Sequence, residues 1–201
     1  MAFTFFFRDT QTLRLAIEHF HPYIQSRSKI TIWSAGCAMG QEPYTFAILL
    51  REMIGPHLYR NVKIYATDID QYNQYGKIIT EGKYPAKDLE RIPEDIFTRY
   101  FSPHPDEPGY CLISEEIRHA VEFKKHDLLT FEAIRSGIHL IICKNVLLHF
   151  TAEERLKVWQ MFWDALEDGG FMLHEHTQKL PGEMNERFDP IVMNAQIFRK
   201  K

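Results

Sequence analysis

The stretch Lys29–Tyr44, KITIWSAGCAMGQEPY, decides the fold. Its first six residues, Lys29–Ser34, are rich in β-branched and aromatic side chains and read as a strand. Ala35–Gln41 follows as a loop of small residues. Pro43 then falls in the first turn of a helix, where its missing N–H is no loss, and Gly55-Pro56 reads as that helix's stop. The same rhythm recurs downstream. Val62–Thr67 is a second strand with Asp68 and Asp70 at its C-terminal edge, and Val121–His126 a third, followed by Asp127. Ile138–Cys143 is a fourth, nearly all apolar, as a strand covered on both faces should be. Thr151 and Glu154 form a capping box that opens a helix with Leu156, Trp159, Trp163 and Leu166 on one face. Asp168-Gly169-Gly170 ends that helix and Phe171–His174 starts a fifth strand. Upstream, Asp9 or Thr10 caps a helix whose Leu13, Ala16, Ile17 and Phe20 share a face. Strands alternating with helices predict an α/β fold, a mostly parallel sheet with helices on both faces.

Residues 77–120 break the rhythm with five prolines between strands two and three. They read as an insertion holding a helical stretch around Leu89–Tyr100 and a small antiparallel β element near Tyr110–Ile113. The last fifteen residues read as a hairpin turning near Asn194. The expected organisation is one domain, residues 1–201, with 77–120 inserted in it. With 24 Lys+Arg against 27 Asp+Glu, a net charge of −3 disfavours nucleic acid as a main partner. No apolar run approaches the ~20 residues needed to cross a bilayer, and the N-terminal residues lack a signal-peptide pattern. A cytoplasmic protein without membrane insertion is expected. Cys37, Cys111 and Cys143 are far apart, without C-x-x-C, which fits a reducing compartment and small buried side chains.

In open α/β sheets ligands bind beyond the carboxyl ends of the strands, where strand order reverses. Gly36 and Gly40 lie there, spaced G-x-x-x-G before a helix, with no Lys after the second glycine, so a nucleotide P-loop is disfavoured. Small residues let backbone approach a ligand, and the helix start offers free N–H groups. An acid directly after strand two, Asp68, is placed to accept hydrogen bonds from ribose hydroxyls. Loop and acid together point to a nucleoside cofactor with a diol. They leave NAD and S-adenosylmethionine both open.

The motifs go further. Ile32–Tyr44 (IWSAGCAMGQEPY) resembles the signature loop of the CheR-type chemoreceptor glutamate methyltransferases. Thr4–Arg8 (TFFFR) resembles that family's T-x-F-F-R, Ala66–Asp70 (ATDID) its A-S-D-I-D, and Cys143–Phe150 (CKNVLLHF) its C-R-N-V-x-x-Y-F. Order and spacing agree from Thr4 to Arg199. The resemblance implies a Rossmann-like methyltransferase fold, S-adenosylmethionine as cofactor with S-adenosylhomocysteine as product, and a chemoreceptor's cytoplasmic region as protein substrate. Carried over by position, Thr4 and Arg8 line the sulfonium end, Ala35, Gly36 and the loop to Gly40 face the methionine part, and Glu42 binds its ammonium. Asp68 holds the ribose, Asp127 and Leu128 frame the adenine, and Asn145 and Val146 close the pocket beside the methyl group. Arg8 and His149 are the candidate catalytic residues, Arg8 as a clamp on the incoming carboxylate.

The chain departs from the pattern in several places. The family carries a helical domain ahead of its entry motif, and three residues precede Thr4 here. Lys144 replaces an Arg, Gln41 a Glu, and Glu175-His176-Thr177-Gln178 the family's G-H-S-E. His149 stands in place of a Tyr. These differences keep two rivals open: a methyltransferase for another carboxylate, and a regulatory protein that binds the cofactor without transferring. A nicotinamide oxidoreductase is disfavoured by the glycine spacing. His174 and His176 fall on one strand face with His149 near the same edge, yet methyl transfer to a carboxylate needs no Lewis acid, so no metal is expected. Trp159 and Trp163 read as core.

Overall fold

The computed structural model describes residues 4–175, 179–192 and 195–201. Helix α1 (Thr10–Ile24) leads to strand β1 (Ile30–Ala35), which is buried at every position. Its side chains alternate between two cores, as a pleated strand requires. Ile30 and Ile32 pack toward α1 and α2 (Gln41–Tyr59), while Trp33 and Ala35 pack toward α6 (Ala152–Ala165). Trp33 donates its indole N–H to Thr67 Oγ1 at 2.8 Å and meets Phe162 edge-on at 5.2 Å. A ring this size buried in full contributes roughly 3 kcal/mol through the hydrophobic effect, with its one polar atom satisfied.

After α2 come β2 (Val62–Asp68), α3 (Tyr75–Glu81), β3 (Lys83–Pro85), α4 (Glu94–Tyr100), β4 (Phe101–Pro103), β5 (Tyr110–Ile113) and α5 (Glu115–Ala120). The chain then runs through β6 (Val121–Lys125), β7 (Ile138–Cys143), α6, β8 (Leu166–His174), β9 (Phe188–Val192) and β10 (Ile197–Lys200). The main sheet has the order β6-β2-β1-β7-β8-β10-β9. Neighbours from β6 to β8 are parallel, and β10 is antiparallel to β8 and β9. From β1 the chain builds outward through β2 to β6, then returns to place β7 on the other side of β1. The loops leaving β1 and β7 therefore diverge, opening a crevice at the sheet's carboxyl edge. Residues 83–113 contribute a separate antiparallel sheet, β3-β5-β4.

Several local expectations need correction. Helix α2 is interrupted at Gly55-Pro56 as expected, Gly55 being non-helical at φ +73°, ψ 168°, but a further helical turn, 56–59, follows directly. Asp168-Gly169-Gly170 does not end α6, which closes at Ala165; β8 begins at once, and Gly169, at φ +72°, lies within it. The buried stripe of α6 is accordingly Val158, Trp159, Phe162 and Ala165, with Leu156 and Trp163 half-buried. The helical stretch expected over Leu89–Tyr100 is split, because Pro93 admits a helix only from Glu94 onward. Asp9 gives α1 no side-chain cap, since its carboxylate pairs with Lys144 instead. The capping box of α6 is present: Thr151 Oγ1 accepts from Glu154 N–H, and Glu154 accepts from Thr151 N–H. The hairpin's strands are β9 and β10; its turn at Asn194 lies outside the described residues, as does His176. Among the described residues no helix is long and apolar enough to cross a membrane.

Asp70 anchors the turn between β2 and α3. Its buried carboxylate accepts from the amides of Gln74, Tyr75 and Gly76 at 2.8–3.2 Å. Burial pushes this carboxyl upward, but the three amides outweigh it, and the net shift is downward. A depressed carboxylate contributes stability that is present above its unfolded value, about 3.9, and lost as pH falls through the lower folded value. Asp70→Ala is expected to lower stability by about 1–2 kcal/mol at neutral pH, read as a shifted urea midpoint with unchanged slope. The gap from the parent protein should close below about pH 4.

Candidate functional site

Gly36 and Gly40 turn the chain after β1 through φ +85° and +92°, a region closed to most side chains. The amides of Gly36 and Cys37 both donate to Thr67 O, at 2.8 and 2.9 Å, and Gly40 N–H donates to Cys37 O. Ala38 N–H donates to Asp68 Oδ2 at 2.9 Å, and Asp70 N–H to Oδ1 at 3.1 Å. Each Asp68 oxygen keeps a further lone pair, so the carboxylate is both positioned and able to accept from a diol. A Cβ on Gly36 would stand 2.2 Å from Val146 Cγ2, so the β1 and β7 loops are in contact at the reversal point.

The loop after β7 is held from behind. Asn145, at φ +59°, donates its amide to Glu175 Oε2 at 2.9 Å, and its side-chain oxygen accepts from Arg8 Nη2 at 3.4 Å. The buried His174 ring places Nδ1 2.9 Å from Cys143 O and 3.1 Å from Glu175 Oε2; burial holds this imidazole below its ordinary range. A short turn, Leu147–His149, then brings His149 to the surface at the crevice edge.

The entry segment closes the other side. Phe7 N–H donates to Thr45 Oγ1 on α2, and Phe6 is buried edge-on against Tyr84 and Phe101, at 4.9 and 5.7 Å. Lys144 is almost fully buried and bonds Asp9 at 2.8 Å, tying this segment to β7. Glu42 accepts from Ser34 Oγ at 3.0 Å. Burial raises the Glu42 carboxyl above its usual range, with Lys144 and the Ser34 hydrogen bond pulling the other way. Burial likewise pushes the Cys37 and Cys143 thiols well up, so neither is an activated thiolate.

Two cavities, of about 400 and 280 Å³, result. Thr4, Arg8 and Glu42 line the first, and Asp68, Asp127, Leu128 and Val146 the second; Gly36, Ala38, Asn145 and His149 line both. One continuous groove thus brings together the residues expected from the sequence, except Gly40, which turns toward Ile79 and Tyr84, and Ala35. That side chain is fully buried with Trp33 and Cys143 and does not line the groove. Sequence reading missed the supports: Ser34, Thr45, the Asp9–Lys144 pair and Glu175. Only a buried lysine in a parallel-sheet loop, implying a hidden counter-ion, could have hinted at them.

The donor set suits S-adenosylmethionine: an anchored carboxylate for a diol, apolar lining from Leu128, Ile69 and Phe150, and the half-buried Glu42 carboxylate near the glycine turn. Strand order and groove are those of a Rossmann-like methyltransferase. The chain matches the CheR methyltransferase SAM-binding domain over residues 2–197 and belongs to that family, whose cofactor is S-adenosylmethionine. It is 36% identical over 147 residues to a chemotaxis protein methyltransferase of Listeria innocua, covering 73% of this chain and 53% of that one. It is 30% identical over 202 residues to a chemotaxis protein methyltransferase of Vibrio parahaemolyticus, covering 98% and 71%. The chain thus spans about half the length of the Listeria relative. Among solved structures, it is similar to a DszA carbon methyltransferase at 15% identity and TM-score 0.49, covering 82% of this chain and 35% of that one.

Gly36→Ala forces Cβ into Val146 and strains a left-handed turn, costing roughly 1–2 kcal/mol before any clash is counted. Its affinity for S-adenosylhomocysteine should fall at least about tenfold by calorimetry, with the far-ultraviolet circular dichroism of the parent retained.

Proposed function

We propose that this chain methylates glutamate side-chain carboxylates of chemoreceptor cytoplasmic regions. The observation that carries the reading is the placement of Arg8 at the groove, on a segment clipped to α2, with its guanidinium against Asn145. A guanidinium suits carboxylate geometry, and both named relatives are chemotaxis protein methyltransferases.

When bound, S-adenosylmethionine supplies a methyl group on a positively charged sulfur. Asp68 accepts from the ribose hydroxyls, Leu128 and Asp127 flank the adenine, and Glu42 faces the ammonium. Thr4, Gly36, Asn145 and Val146 line the space between them. The acceptor carboxylate is ionised at neutral pH, so no general base is required of the protein. Arg8 orients it, and the entry segment and the Leu147–His149 turn exclude water from it. His149 offers a polar contact where the family carries a hydroxyl.

Transfer of labelled methyl groups to receptor cytoplasmic fragments, compared with a panel of other carboxylic acids, tests the acceptor. Base-labile label on the fragments alone is the expected outcome. Heat of cofactor binding without product from any acid would instead indicate the non-transferring regulator that the His149 replacement raises. Arg8→Ala should lower kcat/KM by about 10- to 100-fold while cofactor affinity changes far less. Full turnover in that variant would remove Arg8 from the mechanism.

Glu42 must be ionised to hold an ammonium, and its carboxyl lies above the usual range. Cofactor affinity should therefore weaken on acidification at a higher pH than an exposed glutamate, near 4.3, would dictate. In Glu42→Gln, titration calorimetry should find weaker binding at neutral pH and no such decline.

A further inference from the structure

A separate cavity of about 400 Å³ opens at the opposite edge of the main sheet, by the N-terminal ends of β1 and β7. Thr31 on β1, which lines it, lies about 16 Å along the strand from Gly36, at 3.3 Å per residue. Arg27, Lys29 and Arg135 face the cavity, against a single carboxylate, Glu167. Among the described residues none of these four forms an ion pair. Three cations against one anion leave an excess of two positive charges.

The buried side chains are incompletely satisfied. Thr31 is 1% exposed and its hydroxyl has no hydrogen-bond partner. His139, 7% exposed, sits beside it on β7, with Nδ1 3.0 Å from Thr31 N and Nε2 3.1 Å from Arg27 Nη1. Backbone N–H and guanidinium are both donors, and an imidazole ring offers at most one acceptor nitrogen. One of the two contacts is donor against donor in any protonation state. The Thr31 amide belongs to a fixed strand, so Nδ1 accepts from it and the proton lies on Nε2, facing Arg27. Burial and the Arg27 charge hold the ring below its ordinary range, consistent with a neutral imidazole. A third group that accepts from both His139 and Arg27 removes the conflict.

We propose that this cavity binds a small phosphate-type oxyanion, taking hydrogen bonds from His139 Nε2 and Arg27, with Lys29 and Arg135 balancing its charge. A dianion matches the twofold excess, and a tetrahedral oxyanion has enough acceptor oxygens for donors converging from one strand and two loops. A monovalent carboxylate would leave one cation uncompensated. The site is independent of the methyl-transfer groove.

Long-range proton–nitrogen spectra of the histidine rings test the proposal, with inorganic phosphate titrated into the full chain at ionic strength held constant by chloride. Parallel titrations use glycerol phosphate and acetate. A saturable change at His139, insensitive to saturating S-adenosylhomocysteine, is expected with phosphate or glycerol phosphate and not with acetate. A stronger response to glycerol phosphate would identify a phosphomonoester as the ligand, and a stronger response to inorganic phosphate the free ion. Arg27→Gln with Arg135→Gln should weaken the apparent affinity at least about tenfold and leave S-adenosylhomocysteine binding unchanged. A His139 response no larger than chloride's, one abolished by S-adenosylhomocysteine, or one undiminished in the double variant would overturn the proposal. Should the double variant fail to fold, the titration of the parent protein decides by itself.

Discussion

The end of β2 grips the loop that leaves β1, and the rest of the groove follows from that grip. Thr67 O takes two consecutive amides, from Gly36 and Cys37, and the Asp68 carboxylate takes a third from Ala38. Three hydrogen bonds in a row force the chain over the sheet's edge in a tight left-handed turn. That turn brings Gly36 against Val146, so the β1 and β7 loops meet where the topology would otherwise splay them. The same carboxylate that holds the loop presents its remaining lone pairs to the groove. One side chain thus both holds the loop and lines the groove.

Charge around the groove is arranged with similar economy. Removing an ionised group from water costs several kcal/mol unless a partner compensates. Lys144 has Asp9, and the Asn145 amide has Glu175. Glu42 has a hydroxyl and two cations, Lys144 and Arg8, that form no ion pair with it, which is incomplete compensation, and its raised carboxyl expresses that. A half-buried carboxylate whose charge is incompletely compensated is suited to a cationic ligand. The opposite edge of the sheet shows the inverse imbalance, with guanidinium and ammonium groups in excess around His139.

Much of this was legible in the sequence. Alternation of apolar runs and amphipathic stretches located the strands of the parallel sheet, because burial on both faces leaves a strand few polar positions. The place of Gly36 and Asp68 at the groove was legible because both follow parallel strands at their carboxyl ends, where the sheet's loops open the crevice. Boundaries were less so. Gly55-Pro56 reads as a stop and does break the helical path, but nothing local announces the further turn, 56–59, that Pro56 starts. Asp168-Gly169-Gly170 reads as a helix terminus, but the helix had already closed and the glycines serve β8. Least legible were the supports, Asp9 with Lys144 and Glu175 with Asn145, since such pairs join residues 135 and 30 positions apart. No local pattern encodes them. Asp9 reads as a cap until its distant partner is known.

The Asp9–Lys144 pair gives the entry segment an influence larger than its length. Proteolytic nicking behind Asp9 would leave the main sheet's own hydrogen bonds untouched while stripping a nearly buried ammonium of its counter-ion. Glu42 is a carboxylate within reach of the Lys144 charge. Capture of Lys144 by Glu42 would neutralise the carboxylate assigned to the cofactor's ammonium, just as the water-excluding wall was lost. A clipped chain would then be folded yet doubly disarmed.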